Sequence, residues 1–171
     1  MIDNKRHWFA AVTRAKQEKS IKERLDRLSV ENFVPLRTEV RQWKYRRKKV
    51  TVPAIPNLVF LHTDRQTGLS LVNEYGFRMR FMQDKACKEP LVVPEKQMHD
   101  FMFLFNLSEG NAEIFGPELE KGDRVRIVAG PFAGIEGELL RINGTHRVVV
   151  RLEGIATLAT TTINRSLLEK L

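Results

Sequence analysis

Residues 122–137 read Gly-Asp-Arg-Val-Arg-Ile-Val-Ala-Gly-Pro-Phe-Ala-Gly-Ile-Glu-Gly. The first half alternates apolar and charged side chains, which is the period of a half-buried β-strand. The second half holds three glycines in eight residues, and its Gly-Pro pair favours a tight reversal, because glycine adopts positive φ without steric cost. A second apolar run follows at residues 139–142. The stretch therefore predicts a twisted hairpin within a small β-barrel.

The residues around this stretch carry only strand and turn signals. Asn143-Gly144 is the strongest hairpin dipeptide in the chain. We predict a small SH3-like barrel over residues 120–171, a size near the lower limit for an independent core. Its predicted strands lie at 124–128, 137–142, 147–152 and 155–162, with a short helical turn at 166–168.

The residues before the barrel alternate between strand and helix patterns. Ile21, Leu25 and Leu28 form one apolar stripe on a predicted helix over 17–28. This order of elements predicts an α+β sandwich over residues 1–106, joined to the barrel by a linker over 107–119. The other predicted elements are strands at 7–12, 33–40, 50–52, 58–61 and 77–81, a short helix at 68–75 and a helix from Pro94.

Composition excludes several classes of protein. No apolar run is long enough to cross a bilayer, and the amino terminus has no apolar signal core, so we expect a cytoplasmic protein that does not bind membranes. The one cysteine, Cys87, cannot form an intrachain disulfide. The scattered histidines have no metal-ligand spacing, and no glycine loop has a nucleotide-binding form. We therefore expect no metal, no cofactor and no enzymatic activity.

The net charge of +8 is concentrated in one short window. Residues 37–49 contain seven basic residues and one acidic residue, a net charge of +6, whereas residues 120–171 contain eight basic and six acidic residues. Aromatic rings interleaved with cations are typical of surfaces that bind single-stranded nucleic acid, since rings stack on bases and cations neutralise phosphates. A solvated charged hairpin is the alternative. The candidate nucleic-acid-binding residues are Arg41, Trp43, Lys44, Tyr45, Arg46, Arg47, Lys48 and Lys49.

The stretch that opens the barrel resembles the KOW motif of transcription elongation factors and some ribosomal proteins. The order of the upstream elements, His7 to Val12, a helix near Gln17, Phe33-Val34-Pro35, the basic hairpin and 55–60, is similar to that of the NusG family. That resemblance implies an amino-terminal NGN domain followed by a KOW barrel. The KOW residues are Gly122, Asp123, Val125, Gly130, Pro131, Phe132, Gly134 and Gly137.

Within the family, the segment from Pro53 to Asp64 is most similar to the antiterminators of capsular polysaccharide loci in Bacteroides-type bacteria. Housekeeping members carry glycine and an aromatic residue where this chain has Asn57 and Leu58. The resemblance implies that Ile55 and Leu58, with Trp8 at the edge, form an exposed apolar pocket for the clamp helices of the RNA polymerase large subunit. It also implies that the hairpin contacts non-template DNA or nascent RNA.

The barrel edge at Glu153 and Ile155 departs from the family pattern. Housekeeping relatives have an apolar aromatic residue before the glycine there, and that edge binds a ribosomal protein or the termination factor Rho. A carboxylate without a partner would be costly to desolvate in such a contact, so we expect Rho binding to be weakened or absent.

These observations predict a specialised, monomeric NusG-like factor. It would bind RNA polymerase through its amino-terminal domain and suppress pausing or termination at selected operons. A ribosome-associated or general RNA-binding KOW protein is the alternative, and the near-balanced charge of the barrel disfavours it.

Overall fold

The computed structural model describes residues 4–171, and the chain divides into two compact units between Glu95 and Lys96. Within the described residues, the first unit contains an antiparallel sheet, two helices and a separate two-stranded hairpin. The second unit contains one further helix and a six-stranded antiparallel sheet. This confirms the predicted α+β fold with antiparallel sheets. The predicted helix from Pro94 groups with the second unit rather than with the first. None of the helices described is long and apolar enough to cross a bilayer.

The sheet of the first unit is built around its two most apolar strands. Its strand order is β2-β5-β1-β6, and the short strand β7 also pairs with β1. The sequence at both central strands is almost continuously apolar because both are flanked by other strands and buried. The strands are β1 (His7–Thr13), β2 (Glu31–Phe33), β3 (Leu36–Trp43), β4 (Arg46–Pro53), β5 (Leu58–Thr63), β6 (Met79–Phe81) and β7 (Val92–Val93).

The first helix, α1 (Glu18–Arg27), agrees with the predicted helix over 17–28. Its Ile21 and Leu25 pack into a core cluster with residues of β1 and β5. Leu28, the third residue of the predicted stripe, is 41% exposed because it lies at the carboxyl-terminal cap, beyond the last turn. Burying two aliphatic side chains of this kind contributes about 1.5–3 kcal/mol each.

The second helix, α2 (Arg65–Asn73), begins three residues earlier than predicted. Asp64 caps it, since its Oδ1 accepts a hydrogen bond of 2.8 Å from the backbone N–H of Thr67. That bond and the Thr67 hydroxyl lower the pKa of Asp64. The polar segment after β5 therefore starts a helix.

The basic window forms an isolated hairpin of β3 and β4. The two strands pair over eight positions, from Leu36 opposite Pro53 to Trp43 opposite Arg46. Strand β4 is longer than the predicted run at 50–52, whereas β3 is as long as the predicted run at 33–40 but begins three residues later. Lys44 and Tyr45 form the turn.

The second unit begins with α3 (Glu95–Leu107), which follows Pro94 as predicted. Asp100 on this helix is buried and accepts hydrogen bonds from Lys96 Nζ (2.9 Å) and from the backbone N–H of Glu136 (3.0 Å). The second bond joins the helix to the start of a strand in the same unit, a link that the apolar stripe of the helix could not predict.

The sheet of the second unit has the order β13-β9-β10-β11-β12-β8. The four strands predicted for the barrel are present within one to three residues of their predicted bounds, and a 3-10 turn lies at Arg165–Leu167. The two outer strands were not predicted, because each is only three residues long. The strands are β8 (Glu113–Phe115), β9 (Asp123–Ile127), β10 (Glu136–Ile142), β11 (Thr145–Leu152), β12 (Ala156–Ala159) and β13 (Leu168–Lys170).

Strand β8 changes the interpretation of the predicted linker at 107–119. It pairs with β12, with Thr157 opposite Phe115, and so belongs to the sheet. The break between compact units also lies in the first turn of α3 rather than after that helix. The domain bounds 1–106 and 120–171 remain a prediction.

Candidate functional site

The basic hairpin gathers three cations and one aromatic ring on a single face. Side chains of paired residues point to the same side of an antiparallel ladder, and successive residues alternate between sides. Arg41 pairs with Lys48, and two positions along Trp43 pairs with Arg46. These four residues define the Trp43 face. Trp43 is 53% exposed, and Tyr45 in the turn is 89% exposed.

The opposite face of the hairpin has a different composition. It carries Val40, Gln42, Arg47 and Lys49, none of which is aromatic. The Nε of Arg47 donates to the side-chain oxygen of Gln42 at 3.2 Å. All eight predicted nucleic-acid-binding residues are therefore exposed, but they are divided between two faces and a turn.

The positive charge of the hairpin is largely uncompensated. Glu39 forms ion pairs with Arg37 (2.9 Å) and Arg41 (3.6 Å). Among the residues that the structure describes, the other five cations of the window have no ion pair with a carboxylate. Lys48 Nζ lies 5.9 Å from the centroid of the Trp43 ring. Exposed cations that have no acidic partner attract polyanions, and the exposed rings supply stacking surfaces.

Two of the three predicted polymerase-binding side chains are buried. Leu58 is 6% exposed and Trp8 is 1% exposed, whereas Ile55 is half-buried. The expectation that Leu58 lies exposed beside the turn is wrong, because it is the first residue of β5, which lies between β2 and β1. The Trp8 ring stacks on the imidazole of His62 on the neighbouring strand, with centroids 4.9 Å apart.

The turn before β5 depends on Asn57. This residue has φ +64°, in the left-handed region, which asparagine tolerates better than most non-glycine residues. Its backbone N–H donates to the buried carboxylate of Glu18 at 2.9 Å, and its carbonyl accepts from Thr13 N–H at 2.9 Å. These bonds fix the turn that presents Ile55.

A cleft that sequence reasoning missed lies at the edge of the first unit's sheet. This cleft, the Val12 cleft, has a volume of about 320 Å³ and a mixed lining of Val12, Arg80, Phe81, Met82 and Gln83. Val12 lies opposite Leu58 across β1 and β5 and opposite Arg80 across β1 and β6. The alternation of β1 could have placed Val12 on the same face as Trp8, but its partial exposure depends on how short β6 is.

The glycines of the barrel motif serve two purposes. A Cβ at Gly122 would collide with the backbone oxygen of Leu139, and one at Gly137 would collide with that of Val149, so only glycine permits these close approaches. Gly130 and Gly134 instead have φ +86° and +94°, in the turn between β9 and β10. Val125 is buried, Phe132 is half-buried, and Asp123 and Pro131 are exposed.

A buried ion pair joins the two long strands of the barrel. Arg151 Nε donates to Glu138 Oε2 at 2.9 Å, and both side chains are at most 8% exposed. Glu138 Oε1 also accepts from Gly122 N–H at 3.0 Å. Burial by itself would raise the pKa of Glu138, but the Arg151 and Gly122 hydrogen bonds outweigh it and leave that pKa lowered.

Two family models match different parts of this chain. The model of the family described as "Transcription termination factor nusG" matches residues 6–102, and the KOW motif model matches residues 121–151. The first match alone covers more than half of the chain.

The chain belongs to the NusG family. NusG-family proteins are transcription factors that generally bind RNA polymerase. A solved Thermotoga maritima NusG structure, titled "Domain interaction in Thermotoga maritima NusG", is 20% identical, covers 98% of each chain and has a TM-score of 0.49. A search of curated proteins found no match.

At the edge of the KOW domain, the structure differs from the prediction in the surroundings of Glu153. Glu153 has a partner, since its Oε1 lies 3.5 Å from Lys121 Nζ, and both side chains are exposed. Glu153 was expected to have no partner because Lys121 is 32 residues away in sequence. Ile155 is half-buried beside it.

His62 lies between two carboxylates. Its Nδ1 lies 2.7 Å from Glu31 Oε2, and its Nε2 lies 3.7 Å from Glu95 Oε2. Over residues 4–171 there is no group of three His, Cys, Asp or Glu side chains that could hold a metal ion.

Proposed function

We propose that this protein is a specialised NusG-type factor that binds elongating RNA polymerase and suppresses pausing or termination at selected operons. The observation that carries the proposal is the long hairpin with exposed rings and unpaired cations, carried by a NusG-family amino-terminal domain. The Pro56-Asn57 pair and the segment around it, which are similar to those of capsular polysaccharide antiterminators, support the specialised role.

The polymerase contact would involve the turn of Ile55 and the sheet beneath it. Ile55 is the only one of the three predicted pocket residues with substantial exposure, so it supplies the direct contact. Leu58 and Trp8 support that surface from within the sheet, and the Val12 cleft extends it. Half-buried apolar groups beside a cleft suit recognition of an amphipathic helix, which is the chemistry of the polymerase clamp.

The hairpin would contact the exposed non-template strand or the nascent transcript. Its exposed cations neutralise phosphates and its rings stack on unpaired bases. Because no bond is made or broken, the effect on pausing arises from tighter binding to the elongating state of polymerase, which shifts the population toward that state.

The KOW edge supports a reduced interaction with Rho. The Glu153–Lys121 pair occupies the place where relatives present an apolar aromatic residue. An apolar partner docking there would have to desolvate both charges, at a cost of several kcal/mol. Weak Rho binding is consistent with a factor that promotes read-through.

The test is co-purification of the full chain with core RNA polymerase, combined with transcription in vitro on a template that carries a strong pause. We expect Ile55→Asp to abolish both polymerase binding and the anti-pausing effect, since a carboxylate would be buried against apolar helices. Leu28→Asp, at an apolar residue exposed on α1, is the matched control. Unchanged polymerase binding by Ile55→Asp would refute the assigned contact, and failure of the unaltered protein to bind core polymerase would refute the function.

A further inference from the structure

Helix α1 carries a buried carboxylate on its apolar face. The buried residues of this helix are Glu18, Ile21 and Leu25, whose spacing places them on one stripe. Glu18 is 3% exposed. An apolar side chain in its place would avoid the free-energy cost of taking a carboxylate out of water. The stability of the helix therefore does not account for an acidic residue at this position.

The Glu18 carboxylate has no cation to compensate for its burial. Among the described residues no ion pair engages it, and its one hydrogen bond is with Asn57, whose backbone N–H donates to Oε1 at 2.9 Å. The carboxylate lies in the first turn of α1, where Gln17 provides no side-chain cap and the unpaired backbone N–H groups favour a negative charge. The helix terminus thus offsets part of the cost of burial, and the hydrogen bond connects the carboxylate to a segment outside the helix.

The turn that receives this bond presents residues 55–56. Before them, the backbone N–H of Ala54 donates to the carbonyl of Pro35 at 2.8 Å. A backbone bond of this kind can be made by any residue that has an N–H group. Among the described residues, Glu18 is the one side chain that forms a hydrogen bond with the turn over 54–57. The second anchor of the turn, at Asn57, therefore depends on the identity of a particular side chain.

Asn57 needs a restraint because of its backbone conformation. Its φ is +64°, in the left-handed region that is unfavourable for residues other than glycine. Such conformations persist only where the surrounding structure enforces them. Asn57 is exposed, so packing of its own side chain does not supply this enforcement. The φ angle of Asn57 sets the direction of the chain at the turn and so the position of Ile55, two residues earlier.

We propose that Glu18 is a positioning residue for the polymerase contact. Its carboxylate holds Asn57 in the left-handed conformation, and that conformation orients Ile55 toward the partner helix. The inference rests on the proposed contact of Ile55 with polymerase. Residues that depart from the pattern favouring stability are typical of functional sites, and Glu18 departs from the apolar stripe of its own helix.

The variants separate the hydrogen bond from the charge and from packing. Glu18→Gln keeps an oxygen that can accept from the Asn57 N–H but removes the charge. Glu18→Met has a similar length and no such oxygen, and Glu18→Asp keeps the charge but is shorter by one methylene group. Leu25→Ala is the matched control for stability, since it leaves a cavity on the same face of the helix and leaves the turn unaltered.

Binding of each full-length variant to immobilised core RNA polymerase is measured by biolayer interferometry. We expect Glu18→Met and Glu18→Asp to weaken binding by about tenfold, and Glu18→Gln by about threefold or less, because only glutamine retains an acceptor within reach. Leu25→Ala should unfold at a lower temperature, yet bind within about twofold of the unaltered protein where it is folded.

Thermal unfolding distinguishes positioning from a merely structural role. Glu18→Met should unfold at the same temperature as the unaltered protein or higher, because it removes a buried carboxylate and because the exposed Asn57 can bond to water. A loss of polymerase binding without a loss of stability is an effect that a merely structural role of Glu18 would not produce.

A second substitution tests whether the backbone conformation carries the effect. Glycine adopts positive φ without steric cost, so in an Asn57→Gly background the effect of Glu18→Met should fall from about tenfold to about threefold or less. An undiminished effect in that background would overturn the proposed route through Asn57. Amide hydrogen exchange at residue 57, measured by NMR, should be about tenfold faster in Glu18→Met than in Glu18→Gln. Equal exchange rates would overturn the restraint without reference to polymerase.

The outcomes separate this inference from the proposed function. If Glu18→Met and Glu18→Asp bind polymerase as tightly as Glu18→Gln, Glu18 does not position the turn, and the Ile55 contact stands. If the unaltered protein does not bind core polymerase, the proposed function fails and this inference fails with it. If Glu18→Met does not fold, the comparison of Glu18→Asp with Glu18→Gln decides between the same two results.

Discussion

The basic side chains of the hairpin and of the barrel differ in whether they pair with carboxylates. In the barrel, Arg151 is buried against Glu138, and Arg126 lies 2.9 Å from Glu136 and 3.3 Å from Glu169. In the hairpin, by contrast, five cations have no carboxylate partner among the residues described. Residues of the same types therefore join strands in the barrel, whereas most of those described in the hairpin remain without a carboxylate partner.

The difference teaches that net charge is a poor guide to binding until the partners of each charge are known. The barrel has eight basic residues, one more than the hairpin window, yet acidic residues from other strands neutralise several of them. A cation that is already paired gains little from a phosphate, since it must first give up its carboxylate. The hairpin is therefore the surface whose cations we propose for nucleic-acid binding.

The largest effect is expected when the buried cation of the barrel is removed. Replacing Arg151 by Met leaves the Glu138 carboxylate buried without its cation, and we expect the free energy of unfolding to fall by about 3–5 kcal/mol. The measurement is chemical denaturation followed by far-UV circular dichroism. Arg46→Met in the hairpin is the control and should change stability by less than about 0.5 kcal/mol. Similar losses for both variants would show that burial does not distinguish the two regions.

The next largest effect is expected on nucleic-acid binding, when an exposed ring of the hairpin is removed. Trp43→Ala should weaken binding of a single-stranded oligonucleotide by about 1–3 kcal/mol, because it removes a stacking platform. Anisotropy titration at fixed salt measures it, and the free energy of unfolding should stay unchanged. Val40→Ala, an equally exposed apolar residue on the opposite face, is the matched control. Equal losses for the two variants would contradict the assignment of binding to the Trp43 face.

A smaller effect comes from pH. The pKa of Glu138 is lowered in the folded protein from the ordinary value of 4.5. A depressed carboxylate pKa contributes stability that is complete above the unfolded-state value and is lost as the pH falls through the folded-state value. We expect the free energy of unfolding to decline below about pH 4.5, and Glu138→Gln to flatten this decline. An equal decline in that variant would assign the acid sensitivity to other carboxylates.

The smallest effect is expected at the exposed pair of the barrel edge. Lys121→Ala removes the partner of Glu153, and since both side chains are exposed, stability should change by about 1 kcal/mol or less. Thermal unfolding measures this change. A loss of several kcal/mol would mean that this pair, like the buried one, holds the barrel together.

Local signals predicted most of the elements correctly. Helix α1 follows the spacing of Ile21 and Leu25, and the turn between β10 and β11 follows Asn143-Gly144. The missed elements are the strands β2, β7, β8 and β13, which have only two or three residues each and so show no period. They form because a neighbouring strand offers unpaired backbone groups.

The candidate sites were only partly predictable. The basic and aromatic residues of the hairpin are evident from composition, and their exposure agrees with it. The burial of Leu58 was not predictable, because the proline-bounded turn before it gives no information about which strand lies on either side of β5. A cavity lined by Arg14, Arg24 and Arg78 was missed for a similar reason, since its lining comes from separate segments of the chain.

The amino-acid sequence by itself determined the types of element, their order and the number of charges, because these depend on side-chain periodicity, turn residues and composition. Only the tertiary structure decided which charged side chains form ion pairs and which apolar side chains are buried. Those outcomes depend on strand register, which brings Arg151 to Glu138 and Lys121 to Glu153 but brings no carboxylate to Lys48 among the described residues. Register is a property of pairs of distant segments, and no single segment encodes it.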